Sequence, residues 1–143
     1  MRLAKKTDMR TIFNWRNMPD MISVTTTRKA VSWEQHLIYF PAAIASDEVL
    51  YYIIEPNVGF IRLDREDEEA IISIYISEEH RGGGIAITAI NMGVREAFEK
   101  WRIIKVVAVI REENERSIGA FRKCGFYAEG KHEPEGHIRM AIY

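Results

Sequence analysis

Three consecutive glycines, Gly82, Gly83 and Gly84, stand between Arg81 and an apolar run that opens at Ile85-Ala86. Glycine lets backbone amides turn toward a ligand with no side chain in the way. A helix start adds unpaired N–H groups and the positive end of a dipole, so loop and helix together can cradle a phosphate or pyrophosphate. The plain alternative is a flexible connection between a strand and a helix. A P-loop is excluded because no Gly-Lys-Ser/Thr follows, and the G-x-G-x-x-G spacing of a dinucleotide-binding turn is absent. Further on, Asn114 is placed to cap a helix, with Ser117 in its first turn. His36 sits between Trp33 and Phe40, where a packed or capping histidine is the commoner role. Cys124 is the single cysteine and reads as a small core residue. No cluster of His, Cys, Asp or Glu has metal-ligand spacing, so no metal is expected.

These residues lie in a chain of 143 residues with a formal net charge of −1, 47% hydrophobic and 29% charged. That is an ordinary globular composition of one-domain size, expected to span 1–143. The charge balance excludes a globally basic nucleic-acid binder, and no nucleic-acid partner is expected. The longest apolar runs, such as Val49 to Ile54, fall far short of the ~20 residues that cross a bilayer. The opening MRLAKKTDMR is polar, without the apolar core of a signal peptide. The expectation is a cytoplasmic protein with no membrane partner.

The elements that must position the candidate residues can be placed from pattern. Arg2 to Lys5 reads as a short strand. Asp8 caps a helix that turns Ile12, Trp15 and Met18 inward until Pro19 ends it. Ser23 to Lys29 has no period and reads as a loop. Ser32 and Gln35 form a capping box for a helix that Pro41 closes, with Trp33, Leu37 and Phe40 on its inner face. Val49 to Ile54, Val58 to Leu63 and Ala70 to Ile76 read as an antiparallel meander. Its turns are Glu55-Pro56-Asn57 and the acidic run Asp64 to Glu69. In the third strand Ile72, Ile74 and Ile76 share one face, Ser73 and Tyr75 the other. After the glycines, Ile87, Ile90, Val94, Phe98 and Trp101 recur at helical spacing. The β-branched run Ile103 to Ile110 then marks a strand covered on both faces. Strand, long helix and buried strand in succession imply a right-handed crossover between parallel strands. A last helix begins at Asn114, points Ile118 and Phe121 inward and ends with Gly125 at C′. Phe126 to Ala128 and His137 to Tyr143 read as final strands joined by EGKHEPEG.

On this background two segments resemble the signatures of the GNAT (Gcn5-related) N-acetyltransferase superfamily. Arg81-Gly82-Gly83-Gly84-Ile85-Ala86 matches Gln/Arg-x-x-Gly-x-Gly/Ala. Asn114-Glu115-Arg116-Ser117-Ile118-Gly119-Ala120-Phe121-Arg122-Lys123-Cys124-Gly125-Phe126 is similar to Asn-x-x-Ser/Ala-Ile-x-x-Tyr/Phe-x-Lys-x-Gly-Phe. Trp15-Arg16-Asn17-x-Pro19, with Ser32 and His36, resembles a branch that acetylates ribosomal-protein N-termini, polyamines and nucleotide-linked amino sugars. The resemblance implies an α/β (α+β) fold of the acyl-CoA N-acyltransferase type. Its mixed, mostly antiparallel sheet has about six or seven strands flanked by about four helices. It also implies a monomer or homodimer that moves acetyl from acetyl-CoA to a primary amine by direct attack in a ternary complex. A nucleotide-linked amino sugar is the first acceptor expected, a protein N-terminus or polyamine the second. The rival reading is a catalytically silent acyl-CoA-binding regulatory module.

Residue by residue, the resemblance places Arg81, Gly82, Gly83, Gly84, Ile85 and Ala86 on the pyrophosphate of coenzyme A. Ile74, Tyr75 and Ile76 would pair with the pantetheine arm as with an added strand. There two parallel strands splay apart, and an N–H near Ile76 would face the thioester oxyanion. Asn114 and Ser117 would line the far side, with Phe121 as wall. Two positions depart from better-known members. Phe121 stands where many carry a tyrosine that reprotonates the thiolate, and Ala70 where histone-acetylating members carry a glutamate base. Ser117, Ser73 and Tyr75 are the remaining catalytic candidates, and a water chain can remove the amine's proton. On the substrate side stand Arg16, Arg28 and His36. The arginines suit phosphates and the acidic run suits a cationic amine; sequence leaves both open.

Overall fold

The computed structural model describes residues 1–130 and 134–143. The strands β1 (Arg2–Leu3), β2 (Val49–Ile54), β3 (Gly59–Glu66), β4 (Glu69–Ile76), β5 (Lys105–Arg111), β6 (Tyr127–Ala128) and β7 (His137–Ile142) join one sheet, in the order β1-β2-β3-β4-β5-β7-β6. All neighbours are antiparallel except β4 and β5, which run parallel. Five α-helices accompany the sheet among the described residues: α1 (Met9–Arg16), α2 (Pro19–Ile22), α3 (Trp33–Ala45), α4 (Ile85–Lys100) and α5 (Glu115–Lys123). The long α4 makes the expected crossover between the parallel strands. Part of the turn EGKHEPEG, residues 131–133, lies outside the described residues.

Strand alternation gives the sheet two apolar faces. Ile61, Leu63, Ile72 and Val106 face α4, which brings Ile90, Gly93 and Ala97 against them. A Cβ on Gly93 would come within 2.9 Å of Ile61 Cδ1, so glycine is what lets this helix lie close. Tyr51, Ile53, Phe60 and Tyr75 face the opposite way and meet Ile12 of α1 and Phe40 and Ala43 of α3.

Five local expectations need correction. Pro19 does not end a helix but starts α2 at its first position, where the missing N–H is not needed. Pro41 lies inside α3 rather than closing it, because Phe40 and Ala43 on either side are buried and hold the helix on the sheet. The inner face of α3 is His36, Phe40 and Ala43, while Leu37 is 46% exposed. Asp8 does not cap α1 with its side chain; its carboxylate takes Arg2 Nη1 and Nη2, each at 2.8 Å, and the Lys5 amide at 2.7 Å. The acidic turn is also shorter than expected, since β3 carries Asp64 to Glu66 and leaves Asp67 and Glu68 at the tip.

Candidate active site in the split between β4 and β5

The parallel ladder is short. Glu69 pairs with Lys105, Ala70 with Val106 and Ile71 with Val107, and there the pairing stops although both strands continue. In an antiparallel ladder, residues alternate between bonding their neighbour and pointing their N–H and C=O the other way. The Ser77 amide donates to the Val58 carbonyl at 2.8 Å, which sets the phase of β3 against β4. By that phase Ser73 and Tyr75 bond toward β3, and Ile74 and Ile76 present their backbone groups toward β5. The splay therefore leaves polar backbone facing open space. Of these groups, the Ile76 carbonyl is taken by Arg81 Nε at 2.8 Å. The Ile74 amide and carbonyl and the Ile76 amide face the split.

One cavity, of about 390 Å³, runs from the split to the glycine loop, bordered by Ile74–Ile76, Gly82, Gly84, Ile85, Ala86 and the inner side of α5. Gly82 and Gly84 have φ of 87° and 80°, a left-handed backbone that side chains resist. Gly84 is the N-cap of α4. The first intrahelical bond recorded there is Thr88 to the Gly84 carbonyl, which leaves the Ile85, Ala86 and Ile87 amides as the orphan donors of the helix start. Arg116 and Lys123 of α5 border the same cavity. Sequence reasoning missed these two cations. Their seven-residue spacing on one helix face was the available signal.

A second cavity, of about 400 Å³, opens on the other side of the split. Its floor includes Tyr51, Arg62 and Ser73, which stand abreast across β2, β3 and β4. Arg62 bonds Asp64 through two nitrogens, at 2.8 and 2.7 Å. Burial opposes the Arg62 charge, but Asp64 outweighs it and holds the pKa above its ordinary value. The roof is Arg16 with the segment Met21 to Thr26. Arg111 fixes that segment by donating to the Thr25 and Thr26 carbonyls at 2.8 Å each. The two cavities meet at Met21, Val24, Ile74, Asn114, Ser117 and Phe121, which border both.

The expected residues separate clearly. Asn114 Oδ1 accepts the Ser117 amide as an N-cap, and the Ser117 hydroxyl, which has no partner among the described residues, sits at the junction. Phe121 is buried and packs edge-on against Phe126, so it forms wall. Ser73 borders only the second cavity and Tyr75 only the first. The Tyr75 hydroxyl donates to Asp20 at 3.3 Å, and burial followed by Asp20 pushes its pKa up. The side chain of Arg81 is spent on Asp20, at 2.5 Å, and on Ile76, so it braces the loop instead of reaching for an anion. Gly83 borders neither cavity. Arg16 borders the second cavity with no hydrogen bond or ion pair among the described residues. Two residues expected on the substrate side lie away from both cavities. Arg28 pairs with Glu113 on the surface. His36 borders no cavity; it is 1% exposed in a stack with Phe13, Trp33 and Phe40 and donates from Nε2 to the Met9 carbonyl at 2.7 Å. Among the described residues, no cluster of His, Cys, Asp and Glu has a metal-binding arrangement.

A family model for the acetyltransferase (GNAT) domain matches residues 1–127. The chain belongs to the GNAT acetyltransferase family. Among curated relatives, spermidine N(1)-acetyltransferase from Escherichia coli is 32% identical over 89 residues, covering 59% of this GNAT chain and 48% of that protein. The chain thus spans about half the length of that relative. The solved spermidine N-acetyltransferase of Vibrio cholerae, in complex with CoA and spermine, superposes with a TM-score of 0.86 at 23% identity, covering 99% of this chain and 92% of that one. An aminoglycoside acetyltransferase in complex with coenzyme A superposes at 0.81 with 18% identity, over 99% and 92% of the two chains. The GNAT fold expected from the two motifs, a mixed and mostly antiparallel sheet, is the fold observed.

Proposed function

We propose that this GNAT chain is an acetyl-CoA-dependent N-acetyltransferase that acetylates the primary amine of a small molecule, with both substrates bound together. The observation that carries the reading is the end of the β4–β5 ladder at Ile71 and Val107, with one cavity on each side of the opening. The free backbone groups of Ile74 and Ile76 suit the amides of a pantetheine arm laid along β4 as an added strand. The amides at the start of α4 suit a pyrophosphate, and Arg116 and Lys123 suit further phosphate charge. With the arm so laid, the thioester lies at the junction of the cavities, where an Ile74 or Ile76 amide can stabilise its oxyanion. The amine attacks the thioester carbonyl from the second cavity. A C–N bond forms, the C–S bond breaks, the Ser117 hydroxyl gives the leaving thiolate a proton, and water relays the proton lost by the amine back to the Ser117 oxygen. Ser73 and Tyr75 are less well placed for that donation, since each borders only one cavity.

The relatives named above act, by their names, on spermidine and aminoglycosides. A nucleotide-linked amino sugar, the first acceptor expected from sequence, finds no support among them, and relatedness favours a small-molecule amine. No helix among the described residues is long and apolar enough to cross a membrane, which agrees with a cytoplasmic location as part of the proposal. The deciding experiment is thiol release from acetyl-CoA across a panel of primary amines. Turnover supports the enzyme; tight acetyl-CoA binding without thiol release for any amine favours the silent binding module. S117A is expected to lower kcat about 10- to 100-fold with the KM for acetyl-CoA little changed. An unchanged kcat removes Ser117 from the chemistry.

A further inference from the structure

The charges around the acceptor cavity favour one class of amine. Of the acidic run Asp64 to Glu69, only Asp64 borders that cavity, and its carboxylate is already held by Arg62. Glu66 to Glu69 border a separate concavity with Arg65, Arg102 and Lys105 at the paired end of β4 and β5. Asp20 is turned to Arg81 and Tyr75. Besides the Arg62–Asp64 pair, the one charged side chain bordering the acceptor cavity among the described residues is the guanidinium of Arg16. Its field reaches the floor, where Arg16 and Arg62 both oppose the upward push that burial gives the Tyr51 phenol. The cavity is thus net positive, and the cation that makes it so has no hydrogen-bond or ion-pair partner among the described residues. Among the described residues, Asp64, already paired with Arg62, is the one carboxylate a polycation would meet here.

From this we infer that the acceptor is a primary amine that also carries an anionic group, a carboxylate or a phosphate, and that Arg16 is the residue that selects it. The inference rests on the N-acetyltransferase reading and narrows its acceptor. A guanidinium suits either anion through paired N–H bonds. Arg16, the last residue of α1, and Ser117 of α5 border the same cavity from different elements, so one acceptor can set its anion on Arg16 with its amine toward Ser117. The same positive field favours the neutral form of the bound amine, which is the form that attacks.

The test is thiol release from acetyl-CoA with amines matched by length: ω-amino carboxylates, ω-aminoalkyl phosphates, the corresponding amino alcohols, and spermidine. The expected result is a kcat/KM at least about tenfold higher for one anionic series than for the amino alcohols and spermidine. Which series leads identifies the anion as carboxylate or phosphate. R16Q should collapse that preference and R16K retain part of it, with acetyl-CoA binding by calorimetry confirming that both variants are folded. Preference for spermidine or the amino alcohols, or a preference that R16Q leaves intact, overturns the inference while the N-acetyltransferase reading stands. No thiol release with any amine overturns that reading and the inference with it.

Discussion

In the proposed site, backbone groups of the glycine loop and of β4 stand beside side chains as binding groups. The glycine loop was legible because its requirement is conformational. Gly82 and Gly84 hold left-handed φ values, and an added Cβ at either would meet nothing within 4 Å. The penalty of G84A is therefore the left-handed backbone itself, about 1–2 kcal/mol, and not a clash. The helix start should tilt to relieve it and disturb the Ile85 and Ala86 amides. Acetyl-CoA binding measured by calorimetry should weaken by about tenfold in G84A, with much less change in Tm than in G59A. At Gly59 a Cβ would fall 1.9 Å from the Tyr75 carbonyl oxygen, which no rotamer can avoid. Equal loss of acetyl-CoA affinity in both variants would remove the loop from the cofactor site. Arg81 shows what residue type alone could not reveal: in the motif it reads as an anion ligand, yet its partners, Asp20 and the Ile76 carbonyl, lie 61 and 5 residues away.

Among elements, period located nearly every helix and strand, and errors fell where a neighbour overrode the local signal. The apolar spacing put Leu37 on the inner face of α3, whereas His36 lies there instead. Packing favours His36, because it can bond the Met9 carbonyl on α1 and stack among aromatic rings, which Leu37 cannot. That choice has a pH consequence. Burial lowers the His36 pKa below its ordinary 6.5, so the folded protein holds the ring neutral while the unfolded chain takes up a proton. Stability supplied by neutral His36 is complete above pH 6.5 and is lost as pH falls through the lowered value. The urea midpoint should therefore drop between pH 7 and pH 5.5, and H36F, which keeps a ring but cannot protonate, should remove most of that drop. Asp8 works in a lower window. Arg2 holds its carboxyl below the ordinary 3.8, so its contribution is lost only in stronger acid. A midpoint in H36F that falls as steeply as in the parent would place the titration elsewhere.

For the whole molecule, the split is useful only if something stops it from running the length of the sheet. Three residue pairs join β4 to β5, and the two cavities lie where the strands continue past them. At the paired end, four charged side chains from β4, β5, β7 and the segment after β6 interlock. Lys105 Nζ lies 2.8 Å from Glu129 and 3.8 Å from Glu69, Arg139 Nε lies 3.2 Å from Glu129, and Arg139 also pairs with Glu69. Bonding to Lys105 holds the Glu129 carboxyl below its usual range, so the network stays charged through neutral pH. None of this was legible in the sequence, because the partners are as far apart as Glu69 and Arg139 and the insertion of β7 between β5 and β6 follows no local pattern. The network acts as a pin: it closes one end of the β4–β5 seam so that the other can stay open. E129Q removes a charge shared by Lys105 and Arg139 and leaves both cations to Glu69. A Tm lower by about 3–6 °C is expected, together with a rise in the KM for acetyl-CoA, because a looser seam lets the Ile74 and Ile76 amides drift. G93A, which crowds α4 against Ile61 away from the seam, supplies the comparison: it should also lower Tm, but without that rise in KM. If the two variants lose stability alike and neither changes KM, the ion network is ordinary surface chemistry and the seam is held by its buried strands, Ala70, Val106 and Val107, alone.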